Sequence, residues 1–394
     1  MSTITSVEAF PLQLPVAPGR DAGGARYRAA PNVRSVYPAR DETVLVRIAT
    51  ADHVGWGEAL APVAPEAPAV IINEVFAPLL VGTELDGPRP TAFRLQESMR
   101  ERGHLNGHHA DAVAGLDIAL WDLTGQIHGL PVHTLLGGAY RTEIPLYLTT
   151  VGGATPSEKA EHAVAAHRAG FDAMKLHLTM DPHTVLATVD AVLEALAGEP
   201  AGDRPAPRVA VDAHWVHQLG PARSLGRALD ARGIWFFEAP LAPEDLRGHE
   251  LLAQDLATPV AVGEAMRHRF EFAEWGSRRA VGIAQPDIGR TGISEGFAIA
   301  GVTAANYVPI APHHSMATSL AYAAGLQVSG AAESLAAMEY GPHTAVKSEP
   351  LMAADFMAEG AVTAGRVALP TAPGLGVTVD EDAVRALAAE FPQR

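Results

Sequence analysis

Three acidic residues follow apolar runs at equal intervals in the middle of the chain. Asp212 ends RVAVD, Glu238 ends IWFFE and Glu264 ends PVAVGE, so that neighbouring members lie 26 residues apart. In a (β/α)8 barrel a helix follows each strand, and the strand ends that carry the active site recur about every 25 to 30 residues. One acidic residue after a strand also serves as a helix cap. Three oxygen donors in register, in a chain without cysteine, predict one site for a divalent metal ion.

A lysine and two histidines accompany this acidic set. In Lys175-Leu-His177 the two polar side chains lie on one side of a strand, because successive residues alternate between its faces. A lysine beside a metal ion and a second cation loses part of its proton affinity, so Lys175 is a candidate general base or a group that tunes His177. The alternative is a structural ion pair with a carboxylate. His214 follows Asp212 by two residues, and we interpret it as either a base or a hydrogen-bond donor to the substrate.

Later strand ends add a candidate acid/base pair. Asp287 and His313 end the sixth and seventh predicted strands, which are neighbours in a barrel. An aspartate that holds one imidazole nitrogen fixes the tautomer and raises the basicity of the ring, which leaves the other nitrogen free for proton transfer. The alternative is that Asp287 only caps a helix and His313 is an ordinary half-buried histidine. His314 is predicted to point to the opposite face, and Glu339 ends the eighth strand.

The elements that must hold these residues alternate along the chain. Eight short apolar segments have the pattern of strands, with Ala- and Leu-rich helical patterns between them: IPLYLTT, AMKLHL, RVAVDA, GIWFFEA, PVAVGE, GIAQPD, YVPIAPH and LAAME. This order predicts an α/β barrel. Before it, strand patterns at residues 4–16 and 42–50 and helical periodicity over 68–138 predict an α+β domain. We expect the tail to pack back onto that domain, which divides the chain into 1–138, 139–370 and 371–394.

Two segments of the first domain carry further polar residues. The Gly-rich segment at 17–34 is predicted to be a long mobile loop, and its arginines either clamp a distal substrate group when the loop closes or only solubilise it. These arginines are Arg20, Arg26 and Arg28. Three histidines in a Gly/Asn-rich stretch have the spacing of a metal-ligand set: His104, His108 and His109. We predict instead that they lie on the solvated surface.

Composition limits the partners. The 394 residues are too many for one ordinary domain, and 48% of them are hydrophobic, so a large core is available. A formal charge of −16 disfavours nucleic acid and anionic membranes. No cysteine is present, which excludes disulfides and thiolate chemistry. The sequence has neither a secretory signal pattern nor an apolar run long enough to span a membrane, and we predict a cytoplasmic protein.

The chain resembles the enolase superfamily, and within it the mandelate racemase group. The resemblance runs through GWGEA at 55–59, ALWDLTGQIHGLPVHTLLGG at 119–138, AQPDIGRTGISE at 284–295, APHHS at 311–315 and GLGVTVDE at 374–381. It implies a (β/α)7β barrel with a capping domain made from both termini, one Mg2+ that holds a substrate carboxylate, and commonly a homo-oligomer. The implied first step removes the proton α to that carboxylate and leaves an ene-diolate that the metal stabilises.

The resemblance assigns roles residue by residue. The implied metal ligands are Asp212, Glu238 and Glu264, the acid/base dyad is Asp287 with His313, and Glu339 bonds the substrate carboxylate or enolate. Two positions depart from the racemase pattern. Lys175 matches the first lysine of a Lys-x-Lys pair whose second member is His177 here, and His214 stands where racemases have an amide. The histidine is similar to that of sugar-acid dehydratases of the galactonate and mannonate type.

These departures favour a hydro-lyase. We predict that a sugar acid, an aldonate or aldarate, loses its α-proton and then its β-hydroxyl to give a 2-keto-3-deoxy acid. The base is His177 assisted by Lys175, or His214, and His313 held by Asp287 is the acid or the group that reprotonates carbon 3. The base and the acid exchange roles if the configuration of the substrate is reversed. The alternative is a racemase, epimerase or lactone cycloisomerase that uses the same metal site without loss of water. A third interpretation is an inactive barrel that only binds a metal or a partner protein.

Overall fold

The N-terminal part of the chain forms an antiparallel sheet and a separate hairpin. The structure, a computed structural model, describes residues 2–14, 25–30, 35–200, 204–354, 357 and 360–392. The first five strands are β1 (Ser6–Gln13), β2 (Tyr27–Ala30), β3 (Ser35–Pro38), β4 (Glu42–Ala49) and β5 (Val54–Ala59). The sheet has the order β1-β4-β5, with Ser6 opposite Ala49 and Gln13 opposite Glu42. β2 and β3 pair only with each other among the described strands.

Helices cover one face of this sheet. They are α1 (Glu66–Val70), a π-helical turn (Ile71–Phe76), α2 (Ala77–Leu80), α3 (Pro88–Ser98), α4 (His108–His128) and α5 (Val132–Leu135). β5 lies directly against α4, because glycine leaves no side chain between them. A Cβ at Gly57 would lie 2.2 Å from the Gly115 carbonyl oxygen, and one at Gly55 would lie 2.4 Å from that of Ala119.

Seven parallel strands build most of the barrel. They are β6 (Glu143–Leu148), β7 (Ala173–His177), β8 (Arg208–Asp212), β9 (Phe237–Glu238), β10 (Val260–Val262), β11 (Ile283–Ala284) and β12 (Met338–Tyr340). Each pairs with the next from β6 to β11, and β12 pairs with β6. The eighth position is held by single bridges, from Ile310 to Ala284 and Leu335 and from His313 to Asp287. The barrel is therefore closed around its whole circumference.

One helix follows each strand position except the last. The seven are α6 (Pro156–Arg168), α7 (Pro182–Ala197), α8 (Leu219–Asp230), α9 (Leu246–Asp255), α10 (Arg269–Ser277), α11 (Ile288–Ala305) and α12 (Ser319–Ala331). Eight strands and seven helices make a (β/α)7β barrel with an α+β capping domain, as the sequence predicted. Within the described residues, no helix is both long and apolar enough to cross a lipid bilayer.

The C-terminal segment returns to the first domain. After the barrel come α13 (His343–Ser348), β13 (Met352–Ala354), β14 (Val362–Thr363), β15 (Arg366–Ala368), β16 (Thr378–Val379) and α14 (Glu381–Glu390). Two ion pairs join α14 to the first sheet: Arg385 lies 2.9 Å from Glu8, and Arg47 lies 2.9 Å from Glu381. On this arrangement we propose domain boundaries at residues 138 and 370.

Two expectations for the first domain need correction. Within the predicted loop at 17–34, Tyr27–Ala30 forms β2, which pairs with β3 just beyond the loop, whereas Arg20 and residues 17–24 and 31–34 lie outside the described residues. Arg26 is held between Glu42 and Glu66 at 2.6 Å each, so it is fixed within the capping domain instead of reaching for a substrate. His109 was predicted at the surface but is 5% exposed, because it is the second residue of α4 and packs against Phe76.

Candidate active site

The barrel has an apolar floor beneath a polar layer. Apolar residues from successive strand positions fill the floor, including Ala173, Ala210, Phe236, Ile283, Ala311 and Ala337. Side chains on one face of a strand recur every second residue, so the next residues on the same face stand directly above. They are Lys175, Asp212, Glu238, Gln285, His313 and Glu339. The strand period thus explains how six polar side chains converge above one apolar floor.

Glu264 enters this layer by a break in the alternation. The residue expected above Ala261 is Gly263, whose φ of 146° is one that side chains rarely adopt. A Cβ there would lie 2.8 Å from the backbone of Gln285. The glycine lets the chain pass close to the neighbouring strand, and the following Glu264 reaches His313 with an Oε2 to Nε2 distance of 2.8 Å.

Lys175 lies between two buried carboxylates. Its Nζ is 2.7 Å from Glu238 Oε1 and 2.8 Å from Glu339 Oε1, and the residue is 2% exposed. Burial opposes the charge, but the two carboxylates outweigh it and hold the pKa of Lys175 well above its ordinary value. The structural ion pair that the sequence left open is therefore present, and the loss of proton affinity beside a metal ion stays a prediction.

The remaining oxygens of these two carboxylates are also bonded. Gln285 Nε2 donates to Glu238 Oε2 at 2.5 Å, and the Tyr147 hydroxyl donates to Glu339 Oε2 at 3.0 Å. Trp215 donates its indole N–H to Glu264 at 3.2 Å. Three residues of this layer are not among those predicted from the sequence: Tyr147, Gln285 and Trp215. Gln285 could have been predicted, because it lies two residues before Asp287 at the end of the sixth predicted strand.

The three carboxylates predicted to bind metal differ in their pKa shifts. Burial raises the pKa of Glu264, but the charge of His313 outweighs it and holds that pKa below its ordinary value. Burial and then the charge of Glu264 raise the pKa of Asp212 to about 6, against the effect of Lys175. Burial and then the charges of Asp212 and Glu339 raise the pKa of Glu238 to about 8, again against Lys175. A divalent cation would relieve the repulsion between these carboxylates, and three carboxylate side chains are the donors that Mg2+ prefers. The residues present therefore fit such an ion.

His313 is fixed by Asp287 on one side. Its Nδ1 lies 2.7 Å from Asp287 Oδ2, and its Nε2 lies 2.8 Å from Glu264 and 4.0 Å from Glu339. Asp287 Oδ1 accepts the Gly289 N–H at 2.9 Å, so the same carboxylate also caps α11. Burial lowers the pKa of His313, but the carboxylates of Glu264 and Glu339 outweigh it and hold that pKa well above the ordinary value.

His314 points away from this centre. Its Nε2 lies 3.1 Å from the Thr344 hydroxyl, and its ring meets Tyr322 edge-on at 4.7 Å between centroids. The alternation of side chains along an extended segment predicts this opposite direction. His314 is buried among the side chains outside the catalytic layer.

Two further histidines stand together at the rim of the barrel. The ring centroids of His177 and His214 are 5.1 Å apart. The backbone N–H of His214 donates to Asp212 Oδ1 at 2.8 Å, and the ring Nε2 of His177 lies 3.9 Å from Asp212 Oδ2. These three residues also present donor atoms within 4.8 Å of one another. Burial and then the charges of His214 and Lys175 lower the pKa of His177 to about 4, and burial lowers the pKa of His214. Both rings are therefore neutral proton acceptors at pH 7.

The capping domain contributes one contact to this pair. The Tyr37 hydroxyl on β3 lies 3.2 Å from His214 Nε2. His214 and the following Trp215 have φ values of 45° and 65°, which are strained for residues with a side chain. The hydrogen bonds of His214 to Asp212 and Tyr37 hold it in this conformation.

Sequence comparisons agree with this geometry. Residues 158–383 match the model described as enolase C-terminal domain-like, and residues 27–137 match that of the mandelate racemase / muconate lactonizing enzyme N-terminal domain. The chain belongs to the mandelate racemase group of the enolase superfamily. Enzymes of this superfamily use a lysine or histidine base with Mg2+.

Relatives within the superfamily include two kinds of enzyme. A D-xylonate dehydratase of Haloferax volcanii is 32% identical over 87% of this chain and 84% of its own. A D-galactarolactone cycloisomerase of Agrobacterium fabrum is 31% identical over 86% of this chain and 90% of its own. A solved enolase superfamily member from Agrobacterium tumefaciens superposes with a TM-score of 0.87, at 31% identity and 98% coverage of both chains.

Proposed function

We propose that this enolase superfamily enzyme is a Mg2+-dependent sugar-acid dehydratase. Its reaction would remove the proton α to the carboxylate of an aldonate or aldarate, expel the β-hydroxyl as water and give a 2-keto-3-deoxy acid. The observation that carries the proposal is the presence of two separate imidazole groups around one carboxylate cluster. His177 and His214 are at Asp212, and His313 is at Glu264. The relatives that are D-xylonate, D-galactonate and arabinonate dehydratases support it.

Asp212, Glu238 and Glu264 are the residues that would hold the metal. When bound, Mg2+ would withdraw electron density from the substrate carboxylate and so favour loss of the α-proton. Lys175 remains a cation between Glu238 and Glu339 and adds fixed positive charge where negative charge develops. Glu339 is oriented by Lys175 and Tyr147 and would bond the substrate carboxylate.

The base belongs to the neutral pair. His177 is the more exposed of the two, with 42% of its side chain accessible, so it is the better placed to meet a substrate that enters from the rim. His214 remains the alternative, because its Nε2 is oriented by Tyr37. At neutral pH either ring has an unprotonated nitrogen whose lone pair can accept the α-proton.

The acid is His313. Asp287 holds Nδ1, so any proton that the ring donates leaves from Nε2, the nitrogen that faces Glu264 and Glu339. After the α-carbon has lost its proton to the base, the bond between the β-carbon and its hydroxyl oxygen breaks, and His313 supplies the proton that makes the leaving group water. The enol product then tautomerises to the 2-keto acid.

A second candidate is a lactone cycloisomerase. The D-galactarolactone cycloisomerase covers as much of this chain as the dehydratases do, and it supports the same α-proton removal without loss of water. The two candidates diverge after the α-proton has been removed, because only a dehydratase needs an acid at the β-oxygen. We assign the role of this acid to His313.

Proton NMR separates the two candidates. The protein is incubated with Mg2+ in D2O and a panel of aldonic acids, aldaric acids and their lactones. New 2-keto-3-deoxy resonances with loss of the α-proton signal support the dehydratase. Deuterium at the α-carbon without loss of water moves the assignment to an epimerase or cycloisomerase, and a panel without any reaction contradicts the proposal.

A further inference from the structure

A second cavity lies away from the catalytic layer, between the capping domain and the barrel. Helices α3 and α4 form one wall, and the segments that follow β10 and β11 form the other. Its volume is about 510 Å³, enough for a small metabolite. Four arginines line it: Arg89, Arg267, Arg269 and Arg290.

Two of these arginines have carboxylate partners. Arg267 Nε lies 3.0 Å from Asp111 Oδ1, and Arg269 Nε lies 2.9 Å from Glu295. The ion pair of Arg267 is buried, since the Arg267 side chain is only 8% exposed, and the ion pair of Arg269 is partly buried. The charges of Arg267 and Arg269 are thus balanced within the protein.

The other two arginines have no close carboxylate partner. Arg89 has no ion pair among the described residues. Arg290 Nε lies 3.9 Å from Asp287 Oδ2, but that carboxylate already bonds His313 and Gly289. The Nε of Arg290 is buried and has no hydrogen-bond partner within the described part of the chain. A buried donor without a partner costs free energy that an acceptor from outside would recover.

His109 gives an independent indication of a missing ligand. It lines the same cavity and is 5% exposed, yet in the described ranges neither ring nitrogen has a hydrogen-bond partner. Its ring stacks at an angle on Phe76 and His104, so its aromatic faces are packed while its polar atoms are not satisfied. A neutral imidazole offers one N–H donor to a ligand.

Asp117 has no free oxygen with which to pair an arginine of this cavity. It lines the same wall, but both of its oxygens accept hydrogen bonds from Ser294, at 2.8 Å from the amide and 2.5 Å from the hydroxyl. The remaining lining includes the apolar side chains of Phe93 and Val113. The cavity therefore combines two arginines that have no close ion pair, buried donors without a partner and an apolar wall.

We infer that this cavity binds a small oxyanion, a carboxylate or phosphate group carried on a small molecule, through Arg89, Arg290 and His109. Guanidinium groups match such oxyanions because their N–H donors form paired hydrogen bonds to two oxygens. The site does not share a residue with the catalytic layer. Arg290 lies between the cavity and Asp287, which gives a bound ligand a direct neighbour in the acid/base dyad.

The test is isothermal titration calorimetry of the full chain without Mg2+, with inorganic phosphate and malonate titrated separately. We expect saturable binding of at least one anion, and Arg89→Gln should weaken it about tenfold, since a charge-assisted hydrogen bond is lost. Arg89 is exposed on α3, so this variant should fold normally, and circular dichroism checks that. Comparison of the two titrations identifies the preferred oxyanion.

Two variants serve as controls. Arg94→Gln removes the same charge from the same helix, at a side chain that is 52% exposed and paired with Asp86, and it should leave the affinity unchanged. His177→Asn should also leave it unchanged, because His177 contacts Asp212 and His214 but no residue that lines this cavity, and this control separates the cavity from the catalytic site. The inference is overturned if neither anion binds, if Arg89→Gln binds as tightly as the wild type, or if either control weakens binding equally.

Discussion

The buried carboxyl of Asp117 makes the stability of the protein depend on pH near neutrality. Asp117 is on α4, is 1% exposed and accepts two hydrogen bonds from Ser294 on α11, so it joins the capping domain to the barrel. Burial raises its pKa from 3.8 to about 7, against those hydrogen bonds. The unfolded chain therefore loses this proton at a lower pH than the folded protein does.

The sign and size of the effect come from proton linkage. Between pH 3.8 and about 7 the folded state binds more protons at Asp117 than the unfolded state, so the free energy of unfolding falls as pH rises. Each pKa unit corresponds to about 1.4 kcal/mol, so the full loss is about 4 kcal/mol, of which about 2 kcal/mol falls between pH 5 and pH 7. In the Asp117→Asn variant this side chain cannot ionise, so its contribution to the free energy of unfolding does not fall as pH rises.

The assay is urea denaturation of the wild type and Asp117→Asn at pH 5, 6 and 7, monitored by tryptophan fluorescence. The variant should be the less stable protein at pH 5, because it replaces a well-bonded carboxyl, and the difference should shrink by about 2 kcal/mol by pH 7. Other titrating groups are common to both proteins and cancel in the difference.

Asp122→Asn is the matched control. Asp122 is on the same helix, is 3% exposed and accepts the Trp56 and Leu375 N–H groups at 2.8 and 2.9 Å. Burial raises the pKa of Asp122 only to about 6, so the fall in stability caused by its ionisation is nearly complete by pH 6. Between pH 6 and pH 7 the Asp117 difference should change by about 1 kcal/mol and the Asp122 difference by much less. Equal differences for Asp117→Asn at pH 5 and pH 7 would show that burial does not raise the pKa of Asp117.

Three further variants test the catalytic layer. Tyr37→Phe removes the hydroxyl that orients His214 and should lower kcat/KM about tenfold and shift its pH profile, while the circular dichroism spectrum stays unchanged. An unchanged pH profile would mean that Tyr37 does not position the ring. Glu238→Gln should abolish Mg2+-dependent turnover with the fold intact, and full activity at low Mg2+ would contradict the ligand assignment. Gly263→Ala brings a Cβ to 2.8 Å from the Gln285 backbone and should cost about 2 kcal/mol of stability and weaken Mg2+ binding, both measurable by calorimetry.

Much of the catalytic layer can be predicted from two periods in the sequence. The repeat of one strand and one helix brings Asp212 and Glu238 to adjacent strand ends, and the alternation within a strand places Lys175 above Ala173 and His313 above Ala311. Both periods are local properties of the chain. For this reason the barrel could be predicted from the sequence, and so could the convergence of its polar residues.

Other features depend on contacts that no local pattern encodes. Tyr37 reaches His214 across 177 residues of sequence, from β3, whose partner strand β2 lies in a segment that has the composition of a loop. The contacts of Lys175 with both Glu238 and Glu339 depend on the closed barrel, because these carboxylates lie 63 and more residues away in sequence. His109 has polar neighbours in sequence but is buried by the packing of α4 on the helix that contains Phe76.

The most direct test of the proposed mechanism tracks the α-proton in His313→Asn. The variant and the wild type are incubated with Mg2+ in D2O and the sugar acid that the NMR panel identifies, and α-proton exchange and loss of water are measured separately. If His177 or His214 is the base and His313 the acid, the variant should still exchange the α-proton but form almost no 2-keto-3-deoxy acid. Loss of exchange together with turnover would make His313 the base, and undiminished dehydration would remove it from the reaction altogether.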